Sequence, residues 1–373
     1  MKLAYVGLPC QLQALRKLQL FSREIGQDWA GNVSLTVGLF CRENWAYSCL
    51  RALVEDDYGI KLSEVEKFDI KKGKMLLYRS GEVIQEIPLP ETKPYVRVGC
   101  EVCLDFSAEL ADLSVGAVGS PPKYSTVIVR TKRGMELLRK AERQGYVEVK
   151  HISEVKPGTK LVLKLTKEKR DENLAEAERR ERAGYAARHI STMGEQEPAK
   201  LVAEAKNRSF ADLEAHVIDA GMCVSCGACV AVASEQLEMV DERPRLKEGA
   251  DGRVEKAYLA CPRTSMPVML MAERLFRGED VKSDSLGKYI DIFAVRATEK
   301  AALKRYQDGG AVTALLLCAL NAGDVDGAIV AKRDQNWRPI AALAESEEEL
   351  RESGGTLYCY VTNLPLLREV ASR

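Results

Sequence analysis

Leu3-Ala-Tyr-Val-Gly7-Leu-Pro9-Cys10-Gln-Leu-Gln-Ala-Leu-Arg16-Lys17 sets the architecture of this chain. With Met1 and Lys2 its opening reads as a buried strand, and after Pro9 the chain turns into a helix. Leu35 to Phe40, followed by Cys41, repeats the plan: a short apolar strand, a turn, and a cysteine at the turn. Two such turns mark the carboxyl edge of an α/β sheet, where cofactors usually sit. Further out, residues 1–155 keep alternating short β-runs with helical patterns. Leu113-Ser-Val-Gly-Ala-Val-Gly-Ser-Pro-Pro reads as a turn-rich loop, and Thr126-Val-Ile-Val-Arg as a strand. The expected class is α/β, of the α+β kind.

Composition narrows the possibilities. A chain of 373 residues has room for two or three domains, and 46% hydrophobic with 29% charged residues is ordinary for a globular protein. Lys+Arg and Asp+Glu balance at 55 each, so no global field draws the chain to nucleic acid or anionic lipid. No apolar run approaches a membrane span and no signal peptide opens the chain, so neither membrane insertion nor secretion is expected. Eleven cysteines, an odd number in so long a chain, argue against a disulfide framework. The expectation is a reducing cytoplasm with thiolates held on metal.

Eight of those cysteines form two groups of four. Cys223, Cys226 and Cys229 stand in Met-Cys-Val-Ser-Cys-Gly-Ala-Cys, and Cys261 follows in Cys261-Pro262. A C-x2-C-x2-C run lets three thiolates wrap one corner of a 4Fe-4S cluster. In a two-cluster ferredoxin a fourth cysteine would stand at Ala233 before a proline; here Ser234 follows, and Cys261 is the replacement. Zinc more often takes two separated C-x2-C knuckles. The second group, Cys10, Cys41, Cys100 and Cys103, is dispersed. By spacing alone, Cys100-x2-Cys103 fits a zinc knuckle, a redox pair or chance, and Cys10 and Cys41 also fit buried core thiols. Their place at strand ends favours a second 4Fe-4S site. Cys49, Cys318 and Cys359 sit in apolar surroundings and are expected to be structural. Two clusters in one chain mean that electrons enter and leave.

Four segments follow: an α/β part over residues 1–156, a Lys/Glu/Arg/Ala-rich stretch over 157–215, a ferredoxin-like cysteine module over 216–288, and an α/β return over 289–373. The charged stretch, with runs such as Lys167-Glu-Lys-Arg-Asp-Glu-Asn, is expected to be a solvated helical linker.

Several of these motifs resemble the beta-subunit family of coenzyme F420 hydrogenases and dehydrogenases. They are Gly7-Leu-Pro-Cys-Gln-Leu-Gln-Ala-Leu-Arg-Lys, Gly38-Leu-Phe-Cys-Arg-Glu-Asn-Trp, Lys67-Phe-Asp-Ile-Lys-Lys-Gly-Lys and Cys100-Glu-Val-Cys-Leu-Asp-Phe-Ser-Ala-Glu-Leu-Ala-Asp-Leu-Ser-Val-Gly, with Gln307-Asp-Gly-Gly-Ala-Val-Thr and Gly355-Thr-Leu-Tyr. The order departs from the family, in which the cysteine module and Asp-Gly-Gly segment come first and the Pro-Cys-Gln segment after them. The chain therefore reads as circularly permuted, with 157–215 joining the old ends and Met193 resembling the start of the unpermuted order. Residues 1–156 then correspond to the C-terminal-type half of the F420/FAD domain and 289–373 to the N-terminal-type half.

The resemblance implies FAD, with coenzyme F420 as substrate, and two 4Fe-4S clusters. No G-x-G-x-x-G fingerprint is present, so another arrangement would hold the flavin. The turn Asp308-Gly309-Gly310 before a helix carrying Thr313 is one candidate, since glycines let backbone N–H groups approach a phosphate or ring edge; a plain helix cap is the alternative. Lys71, Lys72 and Lys74 around Gly73 suit a diphosphate, or simply a solvated hairpin tip. Ser114, Gly116, Gly119 and Ser120 form a small-residue loop suited to a planar ring. No catalytic side chain is expected, and His151, His189 and His216 have no assigned role. The implied function is an oxidoreductase subunit that moves electrons between F420 and iron–sulfur clusters, with a hydrogenase, formate dehydrogenase, heterodisulfide reductase or F420H2 dehydrogenase as partner. The alternatives are a relay subunit without flavin chemistry, or a reductase for another substrate such as a chlorophyll-type compound.

Overall fold

Leu3, Ala4 and Tyr5 are wholly buried although their side chains alternate between faces, which requires cover on both sides of the sheet they join. A computed structural model describes residues 1–185, 187, 197–299 and 306–372. Its main sheet has eight strands: β1 (Leu3–Gly7), β2 (Val33–Leu39), β3 (Leu113–Gly116), β4 (Ser125–Val129), β5 (Val147–His151), β6 (Asp291–Ala297), β7 (Gly327–Arg333) and β8 (Pro339–Ala344). They lie in the order β8-β7-β1-β2-β3-β4-β6-β5. The central neighbours β7, β1, β2 and β3 are parallel, and the outer pairings are antiparallel. The class is therefore a mixed α/β sheet.

The two ends of the sequence build this sheet together. Leu3 lies opposite Gly327 on one side and Val33 on the other, while β6 slots between β4 and β5. The main-chain N–H of Lys2 donates to Asp326 at 2.6 Å and that of Asp326 to the Lys2 carbonyl at 2.8 Å. Neither half could complete the sheet alone.

Helix α1 (Pro9–Leu20) leaves β1 with proline in its first turn, where the missing N–H costs nothing. It covers one face with the cysteine module and a helix near the end of the chain, whose Leu364, Leu367 and Val370 are buried there. Helix α2 (Lys132–Arg143) and helix Ala311–Asn321 cover the other face. A separate meander, Lys67–Lys71, Lys74–Arg79 and Glu82–Pro88, packs around Trp45, Phe68 and Trp337. Its tip is Lys72-Gly73, both at positive φ, as a two-residue hairpin turn demands.

The stretch expected to be a solvated linker departs from that expectation. Residues Thr159–Arg182 form one long helix, α3, that buries Val162, Thr166, Lys169 and Ala177. Composition concealed the buried face because two of its members are a threonine and a lysine. His189 and Met193 lie outside the described residues. Among the described residues, no helix is long and apolar enough to cross a membrane.

Candidate metal centres

Cys223, Cys226 and Cys229 occupy the loop that runs into the short helix Ala228–Val232, and Cys261 ends helix Glu255–Ala260. A hairpin, Leu237–Val240 with Arg243–Leu246, carries the chain between them. The four cysteines line one cavity walled by apolar side chains such as Val217, Ile218 and Met239. The main-chain N–H of Ser225 points to Cys223 Sγ at 3.5 Å, and that of Arg263 to Cys261 Sγ at 3.4 Å. Burial raises the thiols of Cys226, Cys229 and Cys261, so ionising them needs nearby positive charge. One source is Lys17, which is buried and donates to the Cys261 carbonyl at 2.7 Å and to Thr264 Oγ1 at 2.8 Å. Burial lowers its ammonium to about 8, against the pull of Cys261.

The dispersed cysteines also converge. Cys10 is the second residue of α1, Cys41 follows β2, and Cys100 and Cys103 lie on the loop before β3. Burial pushes the Cys10 thiol up to about 12 with Cys103 and Cys100 adding to the effect, and Cys41 rises by burial together with Cys100, Cys10 and Cys103. Each thiol therefore lies within the field of the others. Cys103 goes the opposite way: burial would raise it, but Lys169 and Arg263 together hold it below the usual thiol value.

Helix α3 forms the lid of this second group. Lys169 Nζ donates to the Cys41 carbonyl at 2.6 Å and the Asp105 carbonyl at 2.8 Å. One turn on, Asn173 Nδ2 donates to the carbonyls of Cys100 at 2.8 Å and Cys103 at 2.7 Å. Arg170 pairs with Glu109 and Arg180 with Glu101, fastening the helix at both ends of the loop.

Among the described residues, no three Cys, His, Asp or Glu side chains stand close enough to share one metal ion. A zinc site gathers its thiolates about 2.3 Å from a single point. A cubane spreads them, one thiolate to each iron.

The quartets are neighbours. A Cβ on Gly99 would stand 2.7 Å from the Met222 carbonyl oxygen, so the residue before Cys100 packs its bare backbone on the residue before Cys223. Tyr360 bonds Cys10 Sγ through its hydroxyl and stacks on Arg97, which bonds Ser225 inside the other loop at 2.5 Å.

The residues expected at a flavin are brought together only in part. Lys71 pairs with Asp69 at 2.5 Å, Gln307 bonds the same carboxylate at 2.8 Å, and the Asp308 carboxyl is raised by burial and by Asp69. Lys72 is exposed at the hairpin tip, and Lys74 pairs with Glu86. The two glycines serve packing: a Cβ on Gly309 would meet Ser125 N and Val295 O at 2.5 Å, and one on Gly310 the Tyr306 ring at 2.7 Å. Ser114 is wholly buried beneath Arg130, whose Nε donates to it at 2.7 Å, and Gly116 lies against Phe40. Gly119 abuts Val162, Ser120 bonds Thr126 at 2.7 Å, and Thr313 is buried in the first turn of its helix.

Lys17, Lys169, Asn173, Arg263 and Tyr360 were not legible as site residues. Val162, Thr166, Lys169, Asn173 and Ala177 recur at spacings of three and four, which is the one signal that marked a helix face. Cys318 and Cys359 are buried and Cys49 is half-buried. His151 pairs with Asp291 at 3.3 Å, and His216 sits against Tyr258.

Comparison with known proteins bears on both halves. Residues 1–155 match the C terminus of the coenzyme F420 hydrogenase/dehydrogenase beta subunit, and residues 292–368 match the N-terminal part of that same family, in swapped order. The coenzyme F420 hydrogenase subunit beta of Methanosarcina barkeri is 45% identical over 183 residues, covering 49% of this chain and 62% of that protein. The coenzyme F420-dependent sulfite reductase of Methanocaldococcus jannaschii is 40% identical over 182 residues, covering 46% of this chain and 29% of that protein. A chain from the solved F420-reducing NiFe hydrogenase complex of Methanosarcina barkeri is 46% identical, covering 49% of this chain and 62% of its own, with a TM-score of 0.46. The matches thus span less than two thirds of the hydrogenase subunits they meet.

Proposed function

The chain belongs to the coenzyme F420 hydrogenase/dehydrogenase beta-subunit family, and from that premise we propose that it is an iron–sulfur oxidoreductase subunit exchanging electrons between coenzyme F420 and a larger redox assembly. The observation that carries this reading is the pair of cysteine quartets, Cys223/Cys226/Cys229/Cys261 and Cys10/Cys41/Cys100/Cys103, whose loops touch at Gly99 and Met222. The eight thiolates would hold two 4Fe-4S clusters. Such clusters supply one-electron transfer when bound, at potentials tuned by hydrogen bonds to sulfur and by burial.

The chain's own groups prepare those sites. Lys17, Lys169 and Arg263 are buried cations set against thiolate charge that burial alone would disfavour. Val217, Ile218 and Met239 put apolar side chains around the first quartet. Asn173 and Lys169 hold the cysteine-bearing main chain in place from α3. FAD belongs to this reading through the family alone, and no step is assigned to it. A hydrogenase, formate dehydrogenase, heterodisulfide reductase or F420H2 dehydrogenase would serve as partner.

The alternative is a relay subunit with no flavin of its own. Flavin and iron analysis after mild anaerobic purification separates the two. The proposal expects about eight iron atoms per chain, as two cubanes require, and viologen reduction by reduced coenzyme F420 but not by NADH. Activity with NADH alone would overturn the substrate, and iron near zero would overturn the whole reading.

A further inference from the structure

One buried residue belongs to both quartets. Arg263 lies two positions after Cys261, and its main-chain N–H is directed at Cys261 Sγ at 3.4 Å. Its side chain turns the other way, and Nη2 donates to the carbonyl of Gly99, beside Cys100, at 3.1 Å. Only 5% of the residue is exposed, so water hardly screens its charge. The contact at Gly99 is also where the two loops touch, because Gly99 has no side chain to hold Met222 away.

We infer that Arg263 is the positioning residue that joins the two cysteine sites and sets their reduction potentials relative to each other, its backbone serving the first site and its guanidinium the second. A cation opposes thiolate charge, and each electron added to a cluster makes the site more negative. Fixed positive charge therefore favours the reduced form and raises the potential. Lys17 stands at the first site and Lys169 at the second. Arg263 alone of the three gives a main-chain N–H to one site and its charge to the other. The inference rests on the cluster reading above and adds to it a residue that ligates nothing.

The test is a potentiometric titration followed by low-temperature paramagnetic resonance on the full chain, as wild type, Arg263→Gln and Arg263→Lys, each with its iron counted. Arg263→Gln should keep its iron and lower the potential of the second site by about 59 mV, a tenfold shift for a one-electron couple, with a smaller fall at the first. Arg263→Lys keeps the charge but lacks the planar fork that reaches Gly99, and should fall between. Full iron in Arg263→Gln with both potentials unmoved overturns the inference. If Arg263→Gln loses its iron, Arg263→Lys decides: an intermediate fall at the second site supports the inference, and an unmoved potential overturns it. Wild type without iron defeats the cluster reading instead, so the two failures are distinguishable.

Discussion

Lys169→Met is the sharpest test of what α3 does. The lysine is 2% exposed and carries two short bonds, to the carbonyls of Cys41 and Asp105. Methionine has a similar length and no donor, so both carbonyls lose this partner in the interior. Each such loss costs about 1–3 kcal/mol, giving about 2–6 kcal/mol in total. The lower end is expected, since removing a buried charge also removes the cost of having desolvated it. Against a domain stability of about 5–15 kcal/mol, that is a large change. The control is Lys164→Met on the same helix, where the side chain is 67% exposed and a surface change is worth about 0.5 kcal/mol or less. Urea unfolding of both variants, with iron measured in parallel, reads the difference. Lys169→Met should unfold well below wild type and lose iron from the second site first, while Lys164→Met should match wild type. Equal midpoints and equal iron in the two variants would leave α3 as the solvated spacer its composition advertises, and its role as a lid would be wrong.

Two further outcomes are expected. Gly99→Ala places a methyl 2.7 Å from the Met222 carbonyl oxygen, so it should cost about 1–3 kcal/mol by overpacking and reduce iron retention. Wild-type stability and iron would show that the two loops are not in contact. Glu109 gives a dependence on pH: burial first, then Asp105, raises its carboxyl to about 7 against the pull of Arg170 and Arg130. A group that binds its proton more tightly when folded costs the fold stability as pH rises from the unfolded value of about 4.3 towards 7. Glu109→Gln should flatten that part of the stability curve, and an unchanged slope would remove Glu109 as its source.

The limits of sequence reasoning here follow from distance along the chain. C-x2-C-x2-C is a local pattern, so Cys223, Cys226 and Cys229 could be proposed as ligands from spacing alone, and the apolar strands before Cys10 and Cys41 marked a sheet edge. Periodicity likewise pointed to the α/β class, because the side chains of β1 and α1 answer to local geometry. The flavin residues show the opposite. Gly309 and Gly310 read in sequence as a glycine turn or a helix cap, but the atoms that crowd their Cβ side belong to Ser125, Val295 and Tyr306, and no local pattern encodes the approach of remote strands.

The family and the swapped order of its two halves were thus readable from residue order, as were the eight cysteines proposed as ligands. That β6, β7 and β8 complete the sheet begun by β1, and that a charged helix closes over the second quartet, emerged only in the folded chain. So did the place of Arg263 between the two sites. The reason is physical: a ligand set can be read from residue types and spacing, whereas a buried charge is recognisable only once its surroundings exist. Lys169 has the same sequence signature as the exposed Lys164 five residues earlier, and only packing makes one a surface charge and the other part of a candidate metal centre.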